Sequence, residues 1–369
     1  MRFWPSRLRR GPKKKNGRDR AWNRFVHQEL TGYSPIMTGN RVLGFFLLAT
    51  LILIPLGAAI LAASLGVVEY KARYDNLGAL NGTSKADQQS VLWNNQDVGV
   101  VQSVNITTTK HMKAPVYVYY ELQSFYQNHK RYVRSLVSAQ LGGKNKAPNT
   151  LGTCAPQQYV NDMENAVDPS TNVALNNSAA VDPCGLMPYS YFNDSYAMSQ
   201  QQPGGALTVV DMDETNIAWA SDKNSLYGHY KPTNFNEIPQ YRGGGTINSS
   251  YLYVNDDEHF LVWMRPGAAR TVRKLYARIN SDIPAGTTIY ATVNNRYNTY
   301  NFGGRKLIVL STHSWVGGHN NALGGIMLTI GGLAFLTAII FFCSYHLNKH
   351  RRPYADASRL SWNRTNLVK

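Results

Sequence analysis

Two long apolar runs, Val42–Val68 and Ala322–Leu347, constrain this 369-residue chain more than any other feature. Neither run contains a Lys, Arg, Asp or Glu, and each is longer than the ~20 residues with which a helix crosses ~30 Å of hydrocarbon. A buried core helix is the alternative, but such helices seldom extend so far without a charge. We therefore expect two transmembrane helices. The first should be an uncleaved anchor, because 41 residues precede it where a signal peptide has a short basic region.

The formal net charge of +16 is concentrated in the two tails. Residues 1–41 have a net charge of +9 and residues 348–369 have +5, whereas residues 69–321 have only +2. A basic chain can bind nucleic acid, but Lys and Arg beside membrane helices mark the cytosolic side and attract anionic lipid. We therefore predict two cytosolic tails that contact anionic lipid, no nucleic-acid partner, and an exoplasmic or lumenal domain over residues 69–321.

Cysteines and glycosylation sequons agree with this topology. Cys154 and Cys184 are the only cysteines of residues 69–321, and in an oxidising compartment they predict one disulfide, with two free buried thiols as the alternative. The same segment contains five Asn-x-Ser/Thr sequons, at Asn81, Asn105, Asn176, Asn193 and Asn248. A sixth, at Asn363, falls in the C-terminal tail and should stay unmodified.

The exoplasmic segment is rich in short runs of β-forming residues between Gly-rich turns. We predict strands at Val116–Leu122, Ala206–Val210, Tyr251–Val254, Thr287–Val293 and Leu307–Leu310. Short helices are expected within Phe125–Leu136 and in the apolar and basic run that follows Asp256. The predicted fold class is a membrane protein with two transmembrane α-helices and a large β-rich domain, an antiparallel sheet or sandwich with short helices.

No catalytic motif is present. The sequence lacks a phosphate-binding P-loop, a zinc-protease helix, a serine-hydrolase elbow and a dinucleotide-binding turn. Acidic clusters at 211–214 and 256–258 could bind a cation or act as acid/base pairs, but solvated loops are the simpler interpretation. We therefore predict no enzyme activity, no catalytic residues, no metal site and no cofactor.

Glycine pairs recur every seven residues up to and within the second apolar run, at Gly317, Gly318, Gly324, Gly325, Gly331 and Gly332. Seven residues are close to two helical turns, so the pairs share one face wherever the helix extends. Small residues let another helix approach closely. The face could pack against the chain's own first helix or against a transmembrane partner. We expect a partner, because two helices and a large domain without catalytic chemistry suggest a subunit.

Long motifs throughout the chain carry a family resemblance. They are FVHQELTGYSPIMT (25–38), YYELQSFYQNHKRYVRS (119–135), PCGLMPYSYFNDS (183–195), IAWASDK (217–223), HFLVWMRPGAARTVRKLYARI (259–279) and FGGRKLIVLSTHSWVGGHN (302–320). With these motifs the chain resembles the cell division control protein 50 / ligand-effect modulator 3 family, the accessory β-subunits of type IV P-type ATPase lipid flippases. Within the resemblance, Cys154 and Cys184 match the family's cysteine pair, and Asn193 matches a family glycosylation position. Residues 69–118 lack the further cysteines that many members have.

The resemblance implies a non-catalytic subunit that forms a heterodimer with an ATPase. Such a subunit supports the folding of the ATPase, its exit from the endoplasmic reticulum and its transport cycle, and thereby phospholipid asymmetry. The expected membranes are the endoplasmic reticulum, the Golgi and endosomes, and the plasma membrane. A subunit of a two-span ligand-gated ion channel is the alternative, since some channels share this topology. Their ectodomains usually have many disulfides, and these spans lack charged pore-lining positions.

Overall fold

A β-rich domain lies between two long helices along the chain in the computed structural model, which describes residues 22, 24–28, 38–144, 152–160, 179–237, 242–247 and 252–347. The long helices are α1, Gly39–Leu65, and α7, Asn321–Phe342. At 1.5 Å per residue they extend about 40 Å and about 33 Å. Both are long and apolar enough to cross a membrane, and only 11% and 17% of their most apolar windows are buried. Helices that expose this much apolar surface suit lipid better than water.

Five short helices connect the strands. They are α2 (Lys85–Asn94), α3 (Lys130–Arg134), α4 (Ser138–Leu141), α5 (Leu186–Tyr189) and α6 (Glu258–Trp263). Two begin with a capping side chain: Ser84 accepts a hydrogen bond from the Asp87 amide, and Asp257 accepts one from the Phe260 amide. Single helical turns occur at Gly78–Leu80, Gly152–Cys154, Asp222–Leu226, Tyr300–Phe302 and Cys343–Leu347.

In the described part of the chain, eight strands form two antiparallel four-stranded sheets. The first has the order β1 (Glu69–Arg73), β8 (Arg305–Ser311), β3 (Val116–Gln123) and β6 (Thr271–Ile279). The second has the order β2 (Val100–Thr107), β7 (Thr288–Asn295), β4 (Ser195–Gln201) and β5 (Leu207–Val209). Both sheets therefore combine strands from the beginning and the end of the domain.

One hydrophobic core joins the two sheets. Strand β7 buries every second side chain, as expected for a strand with one covered face, and its inward residues include Ile289 and Val293. Strand β3 contributes Val118 and Leu122 from the other sheet, and Trp263 of α6 is fully buried in the same cluster. The predicted fold class is confirmed: a β-rich domain with two antiparallel sheets and short helices, flanked by two apolar helices.

Four of the five predicted strands are present, as β3, β5, β7 and β8. The prediction at Tyr251–Val254 is wrong over its described residues, 252–254, which form a loop and the start of a turn. The expected helix after Asp256 ends at Trp263, and beyond Pro266 the chain continues as β6, with alternate side chains buried. Within Phe125–Leu136 the α-helix spans only Lys130–Arg134.

Candidate functional site

The two apolar helices pack along a seam of small residues that repeats every seven positions. A Cβ added to Gly324 would lie 2.8 Å from the Leu61 amide nitrogen, and one added to Gly331 would lie 2.8 Å from the Ile54 side chain. Ala338, one further step of seven along α7, is buried to 1% exposure. Gly324 and Gly331 therefore pack against the chain's own α1, whereas the sequence analysis expected them to face a partner.

The other predicted seam glycines occupy different places. A Cβ at Gly325 or Gly332 would meet nothing within 4 Å, so a side chain would fit there in this chain alone. Gly317 and Gly318 precede α7, which begins at Asn321, and they cannot be part of a helical seam. Gly317 instead closes a turn by exchanging two backbone hydrogen bonds with Ser314, at a φ of +122° that favours glycine. Packing against a partner helix thus stays a prediction for Gly325 and Gly332.

Polar contacts fix the ends of α1 and α7 to each other where they enter the β-rich domain. The buried Ser64 hydroxyl donates to Asn321 Oδ1 over 2.7 Å and accepts from the Asn320 amide over 2.9 Å. Just beyond, the Val68 amide donates to Thr312 Oγ1 over 2.9 Å. These contacts lead directly into the pairing of β1 with β8.

Cys154 and Cys184 form a disulfide, with their Cα atoms 5.7 Å apart and both residues buried. Two buried polar side chains hold the bridge against the segment 135–140. The Ser135 hydroxyl donates to the Cys154 carbonyl over 3.1 Å, and Gln140 Oε1 accepts from the Cys184 amide over 3.0 Å. Because these hydrogen bonds involve the backbone of each cysteine, both halves of the bridge are held in place against this segment.

The sequons differ in their exposure. Asn81 and Asn105 are exposed, Asn105 on the outward side of β2, whereas Asn193 is half-buried directly before β4. Asn176 and Asn248 lie outside the described residues. The geometry therefore leaves room for sugar most clearly at Asn81 and Asn105.

A fully buried ion pair that the sequence did not predict joins the two sheets. Lys306 of β8 and Asp194, directly before β4, are both at 0% side-chain exposure, with Nζ and Oδ2 2.7 Å apart. The same Oδ2 accepts from the Tyr74 hydroxyl over 2.8 Å, and Oδ1 accepts from the amides of residues 296 and 297 over 2.6 and 2.7 Å. Burial lowers the pKa of the Lys306 ammonium, while Asp194 raises it and partly compensates.

An outward-facing ion-pair network connects three strands of the first sheet. Arg273 of β6 donates to both Glu69 oxygens over 2.7 and 3.2 Å and to Glu121 of β3 over 2.9 Å. Lys71 of β1 adds a contact of 3.1 Å to Glu121. Burial raises the pKa of Glu69, but the hydrogen bonds and charge of Arg273, with Lys71, outweigh it and lower that pKa overall.

Both acidic clusters have structural roles. Asp257 caps α6, and Glu258 accepts from the amides of Ile217 and Ala218 over 2.7 and 3.1 Å. Asp213 accepts from the amide and the hydroxyl of Thr215, and Glu214 lies 3.0 Å from the imidazole of His259. Within the described part of the chain no three His, Cys, Asp or Glu side chains are grouped as metal ligands.

Matches to known proteins include nearly all of the helices and strands described above. The family model described as the LEM3 (ligand-effect modulator 3) family / CDC50 family matches residues 60–352. The chain belongs to the LEM3/CDC50 family. The match includes the whole β-rich domain and all of α7, and it begins within α1.

Relatives of this LEM3/CDC50 family member come from plants, animals and yeast. ALA-interacting subunit 3 of Arabidopsis thaliana is 39% identical over 95% of this chain and 93% of its own length. Cell cycle control protein 50A of Bos taurus is 30% identical over 90% of both chains. The yeast relative from Saccharomyces cerevisiae is named phospholipid-transporting ATPase accessory subunit LEM3, and it is 28% identical over 92% of this chain and 86% of its own. As a family member with two exposed apolar helices, the chain is a membrane protein.

Proposed function

We propose that this chain is the non-catalytic accessory (β) subunit of a phospholipid-translocating P-type ATPase and forms a heterodimer with the catalytic α-subunit. In that complex it supports the folding of the ATPase, its exit from the endoplasmic reticulum and its transport cycle. Phospholipid asymmetry between the two leaflets would then depend on it. The single observation that carries the proposal is the end-to-end match to a relative named as an accessory subunit of a phospholipid-transporting ATPase.

The structure supports the proposal in two ways. The acidic clusters that the sequence analysis weighed as acid/base pairs are used for capping and for backbone hydrogen bonds. In addition, α1 and α7 pack on each other through Gly324 and Gly331, and a large apolar surface remains outside that contact. A partner's transmembrane helices are an apolar occupant suited to such a surface.

The topology is part of the proposal. The basic tails, residues 1–41 and 348–369, would face the cytosol and contact anionic lipid, and the β-rich domain would be exoplasmic. The proposed route runs from the endoplasmic reticulum to the Golgi, endosomes or plasma membrane. Asn81 and Asn105 are exposed and could accept sugar on the way.

The test is affinity purification of the full chain from its own membranes in mild detergent. A large P-type ATPase should co-purify in a 1:1 ratio, and the pair should hydrolyse ATP and move labelled phospholipid in vesicles, whereas the chain alone should do neither. A chain that elutes only as a monomer would contradict the proposal. Ion currents from the purified chain alone in a planar bilayer would support the channel alternative instead.

A further inference from the structure

A cavity of about 250 Å³ lies beside the end of β7, within the β-rich domain. We call it the arginine cavity and define it by Trp93, Gln96, Asn193, Arg242, Arg296 and Phe302, which are among the residues that line it. Asn193, Arg242 and Arg296 also line a neighbouring cavity of about 400 Å³. The two arginines and Asn193 thus form a shared wall between the two spaces.

The arginine cavity has a positive lining. Among the described residues that line it there are two arginines and no Asp or Glu. Burial and the nearby charge of Arg296 lower the pKa of Arg242, against the attraction of Asp97, yet a guanidinium stays charged at any physiological pH. Two guanidinium groups that repel each other are stabilised by an anion placed between them.

The hydrogen bonds of these arginines are incomplete. Arg242 Nη2 donates to the Gln96 carbonyl over 3.0 Å and to Asp97 over 3.2 Å, and Arg296 Nη2 donates to the Val98 carbonyl over 3.4 Å. The Nε atoms of both arginines are buried and have no partner among the described residues. Buried donors without acceptors are unfavourable, so an oxyanion that accepts from them would add stability.

Two amide groups of the lining also lack partners. Gln96 Oε1 and Asn193 Oδ1 are buried acceptors without a hydrogen bond within the described residues. Four of the twelve such buried polar atoms in the described part of the chain belong to residues of this one cavity. An oxyanion cannot donate to the amide oxygens, but hydroxyl groups on the same ligand can.

The aromatic residues of the lining and the position of the cavity further restrict the class of ligand. Trp93, Phe125, Tyr297 and Phe302 line the cavity and offer flat apolar faces on which the C–H face of a sugar ring can pack. Strand β8 leads from this end of the sheet to Ser311, from which the chain continues to α7; at ~3.4 Å per residue it extends roughly 20 Å. The cavity and the start of α7 therefore lie towards opposite ends of β8, which favours a soluble ligand over a lipid headgroup.

We propose that the arginine cavity binds a small anionic carbohydrate, a sugar phosphate or a sugar acid, from the exoplasmic or lumenal fluid. The guanidinium groups of Arg242 and Arg296 hold the oxyanion. The amide oxygens of Gln96 and Asn193 accept from ligand hydroxyls, and the aromatic residues cover the ring. Asn193 is also a sequon, so a glycan attached there would stand at the wall of the same cavity.

The test is calorimetric titration of the full chain, produced without N-glycans and purified in detergent, with glucose 6-phosphate, glucuronate, glucose and inorganic phosphate. Glucose 6-phosphate or glucuronate should bind at least about tenfold more tightly than glucose or phosphate, because only the anionic sugars satisfy both the donors and the acceptors. Arg296→Gln should weaken that binding by about tenfold or more. Arg270→Gln, at an exposed arginine outside both cavities, should leave binding unchanged.

Several outcomes would overturn the proposal. They are an absence of binding by either anionic sugar up to about 10 mM, equal affinity for glucose and glucose 6-phosphate, equal affinity for phosphate alone, or an equal loss in Arg270→Gln. Among the described residues, the Arg296 side chain makes one long hydrogen bond, so Arg296→Gln is the variant expected to fold. Its thermal midpoint without ligand checks this. A second titration with the N-glycans retained compares the cavity beside a glycosylated Asn193. Binding that needs the glycan, and is lost when it is removed, would also contradict a site made by the side chains.

Discussion

At the scale of single residues, the buried pair of Lys306 and Asp194 is the most demanding feature of the domain. Removing two charges from water carries a large desolvation penalty, which the pair offsets only because other groups complete its hydrogen bonds. Asp194 accepts from Lys306, from Tyr74 and from two backbone amides, and Lys306 also donates to the Tyr297 carbonyl. The pair thereby specifies which ends of the two sheets meet.

Replacing one member of this pair should destabilise the domain strongly. We expect Lys306→Met to lower the free energy of unfolding by about 3–5 kcal/mol, because it leaves the Asp194 carboxylate buried without its counter-charge. The double variant Lys306→Met/Asp194→Asn should lose less than the sum of the two single variants. Thermal or urea unfolding of the purified chain measures this, with Asp97→Asn as the control at an acid that is 66% exposed. Additive losses would show that the two residues do not act as a pair.

Asp182 gives the domain a pH dependence. Burial raises the pKa of its carboxyl from 3.8 to about 6. The folded state therefore holds a proton that the unfolded chain releases, so this contribution to stability is present at low pH and is lost as pH rises through about 6. Asp182→Asn should be more stable than the parent at about pH 7.5, and the difference should shrink towards about pH 5. Melting curves at the two pH values test this, and a constant difference would contradict it.

At the scale of elements, the antiparallel pair of α1 and α7 has two kinds of glycine side by side. Gly331 leaves no room for a Cβ because Ile54 and Leu53 are too close, whereas its neighbour Gly332 has open space. The same contrast holds between Gly324 and Gly325. One helix thus offers matched positions that separate packing within the chain from packing against a partner.

Leucine at these two neighbours should have different effects. Gly331→Leu should force α1 and α7 apart, at about 1–3 kcal/mol for overpacking, and should lower the yield of folded chain. Gly332→Leu should leave the chain's own stability unchanged and reduce recovery of the ATPase several-fold in a pull-down, because the side chain would occupy the surface offered to a partner. A normal pull-down by Gly332→Leu would show that the partner does not pack over this glycine.

The disulfide closes a loop across a sequence separation of 30 residues. Chain-entropy arithmetic assigns about 3–4 kcal/mol to a loop of this length. Cys154→Ser and Cys184→Ser should lower the thermal midpoint by the same amount as each other. The double variant should be no less stable than either single variant. In cells the single variants should be retained in the endoplasmic reticulum and underglycosylated. Normal delivery to the cell surface would contradict a role for the bond in maturation.

Local pattern predicted part of this fold, and long-range pairing explains the rest. The β-forming run at 116–122 and the alternating residues at 287–293 could be recognised because they are strands by composition. The polar β4, SYAMSQQ, and the charged β1, EYKAR, have little such signal and depend on pairing with β7 and β8 far along the chain.

The candidate sites, too, were predictable where local pattern marks them and not where long-range pairing creates them. Lys306 occupies an inward position of β8, in step with Ile308 and Leu310, so alternation alone could have marked it as buried. Its partner Asp194 could not be identified, because only the assembled sheets bring the two together. The seven-residue spacing of glycines was visible, but which helix fills it depends on the packing of Leu61 and Ile54.

At the scale of the whole molecule, charge and exposure together make the topology testable. Asn81→Gln and Asn105→Gln should each remove one glycan and increase electrophoretic mobility by one step, because both side chains are exposed on the domain assigned to the exoplasmic side. Asn363→Gln should change nothing, because the proposed topology puts that sequon in the cytosol. Treatment with a glycosidase should merge all the bands. A glycan at Asn363 would reverse the orientation.

The strand order also determines when the domain can be completed during synthesis. Among the described strands, β1 is the first to be made and lies at the edge of its sheet beside β8, which is the last to be made. The first sheet therefore stays open until residue 311 has been made, and α7 begins only ten residues later, at Asn321. The last strand of the sheet and the second apolar helix are therefore made in close succession. A chain that contains both apolar helices also contains every strand that the first sheet needs. Completion of the fold is therefore a late event, and cellular quality control can test for it in one step.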